Sequence, residues 1–168
     1  QLYTEVNIAS NIIATSLTAL NPIIHVPVVL FNLARIERQD DFSILVEGLC
    51  PKVANFIMKI DLERNKLADY LDIPYTTIVT QLSEQWGENF SSLLELFSTL
   101  ETYKSLQAPK SFKSRFIVED LPFGIDPLVK LGSELNVEVK NSKMLSTFSH
   151  ELLEEVSQPN LDFITEES

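Results

Sequence analysis

Apolar positions recur along this chain at three- and four-residue steps and almost nowhere in strict alternation, so the pattern predicts helices. The clearest case is residues 51–71, where Val53, Phe56, Ile57, Ile60, Leu67 and Leu71 make one stripe. Pro51 suits a first helical turn, where its missing N–H is not needed. Asp61, Glu63, Arg64 and Lys66 are expected to take much of the remaining, solvated surface. Residues 6–20 are small and aliphatic and read as a buried helix, interrupted at Asn21-Pro22. A second apolar stretch, 28–36, follows Pro27. Thr76 or Thr77 is a cap for a shorter helix ending at Trp86, with Gly87 as its stop. Ser91 or Ser92 opens another through Leu100. Residues 109–124 read as irregular, because Pro122 and Gly124 disfavour helix. Asp126-Pro127 then starts a helix to about residue 135, and 137–139 form a brief extended link. Ser142 starts a last amphipathic helix carrying Leu145, Phe148, Leu152, Leu153 and Val156, before an acidic end at 159–168 that is expected to fray. The sum is an all-α domain, a multi-helix bundle of about seven helices over residues 1–168.

Composition narrows the partners. A hydrophobic content of 45% with 22% charged residues describes a globular core rather than a disordered chain. The net charge of −11 argues against nucleic acid and against docking on anionic membrane, since both rest on Lys and Arg. Cys50 is the one cysteine, so no internal disulfide is available, and a reducing, cytoplasmic setting is expected. No run of about 18 apolar residues is present, and the opening residues do not resemble a signal peptide.

Few residues could carry chemistry. His25 and His150 are far apart, and with a lone cysteine the signal for a metal site is weak; no metal is expected. No Gly-x-Ser-x-Gly elbow occurs. Acid–base work by His25 fits better, with Asp120 or Glu119 as the carboxylate that orients the ring. Arg115 could clamp a substrate carboxylate, or form a structural ion pair with Glu119 or Asp120. Trp86 and Cys50 read as packing, and His150 as surface.

The ordered motifs resemble one family. Asn21-Pro22-Ile23-Ile24-His25, with Asn32 and Ile36-Glu37, resembles the start of the helical domain of octopine and nopaline (opine) dehydrogenases. Glu47-Gly48, Pro51, Ile60-Asp61, Glu63-Arg64 and Leu67-Ala68 resemble that family's central helix. Arg115-Phe116, Glu119-Asp120, Pro122 and Gly124 resemble its most diagnostic block. Each motif is short; the ordered set, spanning about residues 10–135, is specific.

The resemblance implies a C-terminal helical domain with the fold of the 6-phosphogluconate dehydrogenase C-terminal domain. Its enzyme would condense an amino acid with a 2-oxo acid such as pyruvate, using NADH or NADPH. It implies His25 as the acid–base group, Asp120 as the carboxylate that orients it, and Arg115 as a substrate-binding cation, with Asn21 a weak substrate-side candidate. Typical members carry Tyr where Phe116 and Phe123 stand, so hydroxyl contacts there would be absent. No Gly-x-Gly-x-x-Gly or βαβ unit occurs, so no cofactor-binding residue is expected here. The N-terminal Rossmann domain is the expected missing partner, and the fragment is expected to be inactive alone. The alternative is a noncatalytic interaction domain on the same scaffold, forming a homodimer through an apolar helix face.

Overall fold

The computed structural model of the chain describes residues 12–153, Val156 and Leu161. Its regular elements are α1 (Ile12–Thr18), α2 (Asn21–Phe31), α3 (Leu33–Glu37), α4 (Pro51–Tyr70), α5 (Ile78–Trp86), α6 (Leu93–Thr99), α7 (Glu101–Lys104), α8 (Arg115–Val118), a π-helical turn (Leu121–Ile125), α9 (Asp126–Glu134) and α10 (Lys140–Leu152). No strand occurs among the described residues; one isolated bridge joins Ser43 to Gln107. The all-α expectation holds, with several short helical turns that the periodicity did not separate. The stretch 6–11 of the first expected helix, and nearly all of the acidic end, lie outside the described residues.

The central helix α4 starts at Pro51 as expected and packs against α2 and α10. Its charged residues are not where the pattern put them. Asp61, Glu63 and Arg64 are buried, Lys66 alone of the four is exposed, and Leu62 lies open. The reason is a set of partners distant in sequence. Arg64 donates to Asp61 Oδ1 and to the backbone carbonyls of Leu17 (2.6 Å) and Thr76 (3.0 Å), while Asp61 Oδ2 accepts from the N–H of Ile78 (2.9 Å). A buried pair in which every nitrogen of the Arg64 guanidinium and both oxygens of Asp61 are bonded ties α1, α4 and α5 together. Glu63 accepts from the backbone N–H groups of Asn141 and Ser142 and from both their side chains, at 2.6–2.8 Å. An anion at a helix N-terminus meets the orphan donors and the positive end of the dipole. This explains why α10 begins at Lys140, ahead of Ser142.

Local signals elsewhere act as read. Thr77 caps α5 by accepting from Thr80 N, and Gly87 stops it in the left-handed region at φ 67°. Ser92 caps α6, while Ser91 donates to Glu95 from both its N–H and its hydroxyl. Cys50 is exposed at the start of α4, contrary to its reading as packing, because the N-cap position lies outside the helix body.

Two corrections bear on the site. The interruption expected at Asn21-Pro22 falls at Ala19-Leu20, between α1 and α2, but the chain does not break again at Pro27: α2 starts at Asn21 and runs through it. An interior proline normally breaks a helix through a lost hydrogen bond and a steric clash. Here Ile23, Ile24, Val26, Pro27, Val28, Val29 and Leu30 are all buried, so packing on several sides holds the helix together. The break comes later, at Asn32, whose amide donates to the carbonyls of Val28 (2.9 Å) and Gly48 (2.7 Å). The segment after residue 114 is not irregular either. The chain is helical from Arg115 almost without interruption to Glu134, with Pro122 and Gly124 inside the π turn. The N–H of Asp126 bonds the carbonyl of Leu121 in the wider register, which accommodates prolines at 122 and 127.

Candidate active site

The site grows from the meeting of α2 with α8 and the π turn, which pack directly on each other. His25 lies in the second turn of α2, and Phe116, Asp120 and Gly124 lie opposite at four-residue spacing. Nδ1 of His25 lies 2.7 Å from Oδ2 of Asp120, across 95 residues of sequence. The Phe116 ring sits 4.2 Å from the imidazole, centroid to centroid, tilted by 34°. At Gly124 a Cβ would come within 2.3 Å of both Cβ and Cγ of Pro22, so only glycine lets the two elements approach this closely. The two blocks singled out in the sequence are thus in contact at Pro22–Gly124 and His25–Asp120.

The pair is largely screened from solvent, with the His25 side chain 14% exposed and Asp120 17%. An ionised carboxylate only accepts, so contact with Asp120 places the proton on Nδ1 and leaves Nε2 with a free lone pair. Among the described residues Nε2 has no hydrogen-bond partner. It belongs to a residue lining a cavity of about 590 Å³ bounded by the α1–α2 junction, α5, α7 and the π turn. Together with His25, residues Thr18, Asn21, Gln81, Gln85, Tyr103, Glu119 and Asp120 give that cavity its polar groups. Gln81 is held by donation to the carbonyl of Thr18 (2.9 Å), and the Tyr103 hydroxyl accepts from the Trp86 indole (3.1 Å). Trp86 is partly exposed and serves as this tether more than as core.

The other candidates are dispersed. Glu119, the alternative carboxylate, points to Arg115, whose Nη2 lies 3.5 Å from its Oε2. Arg115 is 72% exposed, and no Lys or Arg is among the described residues lining the cavity. Asn21 lies at the cavity wall, at the start of α2.

Some features had no sequence signal. His150 is not free surface: its Nε2 lies 2.8 Å from Oδ2 of Asp126, and Ser146 donates to the other oxygen at 2.7 Å. These contacts form only once α9 and α10 pack together, so spacing along the chain did not announce them. The four-residue step from Phe116 to Asp120 to Gly124 would have been visible had the helix been read through Pro122.

No group of three or more metal-ligating side chains converges among the described residues. Nor do the described residues form a parallel sheet or a glycine-rich turn before a helix. No helix among them is long and apolar enough to cross a membrane.

Comparison with known proteins bears on this geometry. Residues 8–153 match the family model described as NAD/NADP octopine/nopaline dehydrogenase, alpha-helical domain, farther along the chain than the 10–135 suggested by the motifs. An opine dehydrogenase of Arthrobacter sp. (strain 1C) is 30% identical over 127 residues, covering 76% of this chain and 35% of that protein. The protein ocs of Agrobacterium vitis is 23% identical over 105 residues, 62% of this chain and 29% of that one. The chain therefore spans about a third of the length of these relatives. Among solved structures, octopine dehydrogenase with NADH and agmatine superposes with a TM-score of 0.72 at 15% identity, over 87% of this chain and 41% of that one. Octopine dehydrogenase with NADH and L-arginine gives 0.65 at 15% identity, over 79% and 38%. At that identity the superpositions speak for the fold.

Proposed function

Because the chain belongs to the octopine/nopaline dehydrogenase family, as its alpha-helical domain, we propose that it supplies the substrate-binding and acid–base half of an opine-type oxidoreductase. The reaction is the reductive condensation of an amino acid with a 2-oxo acid such as pyruvate. The hydride would come from NADH or NADPH held on a separate domain, consistent with the NADH bound by the octopine dehydrogenase neighbours.

The observation that carries this reading is the His25–Asp120 pair at the cavity wall. Asp120 keeps the proton on Nδ1, so Nε2 can accept a proton as the amine attacks the oxo carbon. The resulting imidazolium, stabilised by Asp120, can return that proton to the former carbonyl oxygen, giving a carbinolamine hydroxyl. A second proton, drawn from solvent through the same ring, lets the hydroxyl leave as water, and the iminium carbon then accepts the hydride to give the secondary amine. Arg115 lies about one helical turn before Asp120 and serves as a cation for a substrate carboxylate. Asn21 offers an amide at the cavity wall. The domain on its own turns nothing over.

The test is an assay of the full-length protein with pyruvate, a panel of amino acids including L-arginine, and each nicotinamide cofactor, alongside His25→Ala and Asp120→Asn. Amine-dependent cofactor oxidation should fall by about 10²- to 10⁴-fold in the variants. Full rates in both would remove the proposed roles.

One observation favours a second reading, a noncatalytic module that self-associates. Met144, Phe148 and Leu152 make an exposed apolar stripe on α10. A monomer by light scattering, unchanged by Phe148→Glu, would dispose of it.

A further inference from the structure

We propose that Phe116 is a positioning residue that fixes the plane of the His25 imidazole, on a seat formed with Asp120 and Gly124. The inference rests on the acid–base role given to His25. Its basis is the four-residue step of Phe116, Asp120 and Gly124, which turns one face of a helical run toward α2. Each of the three meets α2 differently: a ring face on His25, a carboxylate on Nδ1, and a missing side chain at Pro22.

One hydrogen bond does not orient an imidazole. The second torsion of histidine is broad and roughly two-fold, so within the play of the Nδ1 contact the ring can still rock about Cβ–Cγ and shift Nε2. A neighbouring aromatic face at 4.2 Å limits that swing. The close approach at Pro22–Gly124, in turn, sets how far the whole ridge stands from α2. Orientation comes from Phe116 and spacing from Gly124, with Asp120 fixing which nitrogen carries the proton. Misplacing a reacting group by about 1 Å costs on the order of 10²-fold in rate, so a looser ring should be felt in turnover.

The experiment uses the full-length protein with Phe116→Leu, Phe116→Met and Phe116→Tyr. The two ringless variants should lose about tenfold in kcat, with KM for both substrates moving less than about twofold. Phe116→Tyr, which restores the ring face, should recover to within about twofold of the parent. In ¹⁵N spectra of the His25 ring, the parent and every variant should keep the proton on Nδ1, because Asp120 is unchanged, while the ringless variants alone should show exchange-broadened ring signals from a mobile imidazole. Parental kcat together with sharp, parent-like ring signals in a folded ringless variant would overturn the inference. A full-length parent with no amine-dependent turnover would instead count against the functional reading, and the ring spectra would then decide the positioning claim alone.

Discussion

Two histidine–aspartate pairs flank the same π turn and differ in what surrounds them. Asp120 precedes the turn and meets His25 at 2.7 Å; Asp126 follows it and meets His150 at 2.8 Å. Both histidines are 14% exposed in their side chains. By contact length and burial they are near twins. Around Asp126, however, Ser146 takes the second oxygen, and the pair ties α9 to α10. Asp120 has no second partner among the described residues, and His25 shares a cavity wall with it. The comparison teaches that a short His–Asp contact is not by itself a site. Open volume beside the pair, and a carboxylate with one oxygen left without a second partner, are what separate a chemical group from a tether.

The largest expected effects test that separation. In the full-length protein, His25→Ala should lower turnover by about 10²- to 10⁴-fold. His150→Ala should leave kcat within about threefold while lowering unfolding free energy by about 1–3 kcal/mol, because Asp126 loses a partner while remaining buried, and His25→Ala should carry a stability cost of the same order. Steady-state kinetics and urea unfolding on both variants read the two quantities. Similar kinetic losses from the two substitutions would break the distinction.

Next in size is the anchor at the other end of α10. Glu63 accepts four hydrogen bonds there, and Glu63→Ala would leave the N–H groups of Asn141 and Ser142 without it. A loss of about 2–4 kcal/mol is expected from urea unfolding. If the His150–Asp126 tether holds the same helix, the double variant should lose less than the sum of the singles, because a helix already loosened has less to lose. Strict additivity would mean that the two anchors act on separate parts of the fold.

How much of this was legible in the sequence depended on whether the deciding partner lay nearby. The start of α4 at Pro51, the Thr77 cap and the Gly87 stop each depend on a neighbour within one turn, and each could be read. The burial of Asp61, Glu63 and Arg64 could not, because their partners at Leu17, Thr76, Ile78 and Asn141 lie elsewhere in the chain. Three charges on an amphipathic helix look like a solvated face until those partners are known. Pro27 and Pro122 misled for a related reason: their local rule is to end a helix, and burial in α2 and a widened turn before α9 override it. The approach of residue 25 to residue 120 was suggested by motif order, with Glu119 left as an alternative to Asp120. The structure puts Asp120 on the ring and Glu119 on Arg115.

The smallest expected effect concerns a carboxylate that accepts two hydrogen bonds, as Asp126 does, but on one oxygen and at the surface. Hydrogen bonds from the Ser91 hydroxyl and backbone N–H hold the Glu95 carboxyl below its ordinary 4.5. A lowered folded-state value means that the ionised form favours the native state. The contribution is therefore complete above the unfolded value of 4.5 and is lost as pH falls through the lower, folded value. Glu95→Gln should lower the melting midpoint slightly at about pH 7 and leave it indistinguishable from the parent near pH 2–3. Solvent screening keeps this contribution well below that of the buried Asp126 carboxylate. Melting curves at the two pH values check the sign. A deficit that grew toward acid pH would mean that the capping interaction does not depend on the charge of Glu95. Engagement and burial would then need to be separated again in the comparison of Asp120 with Asp126.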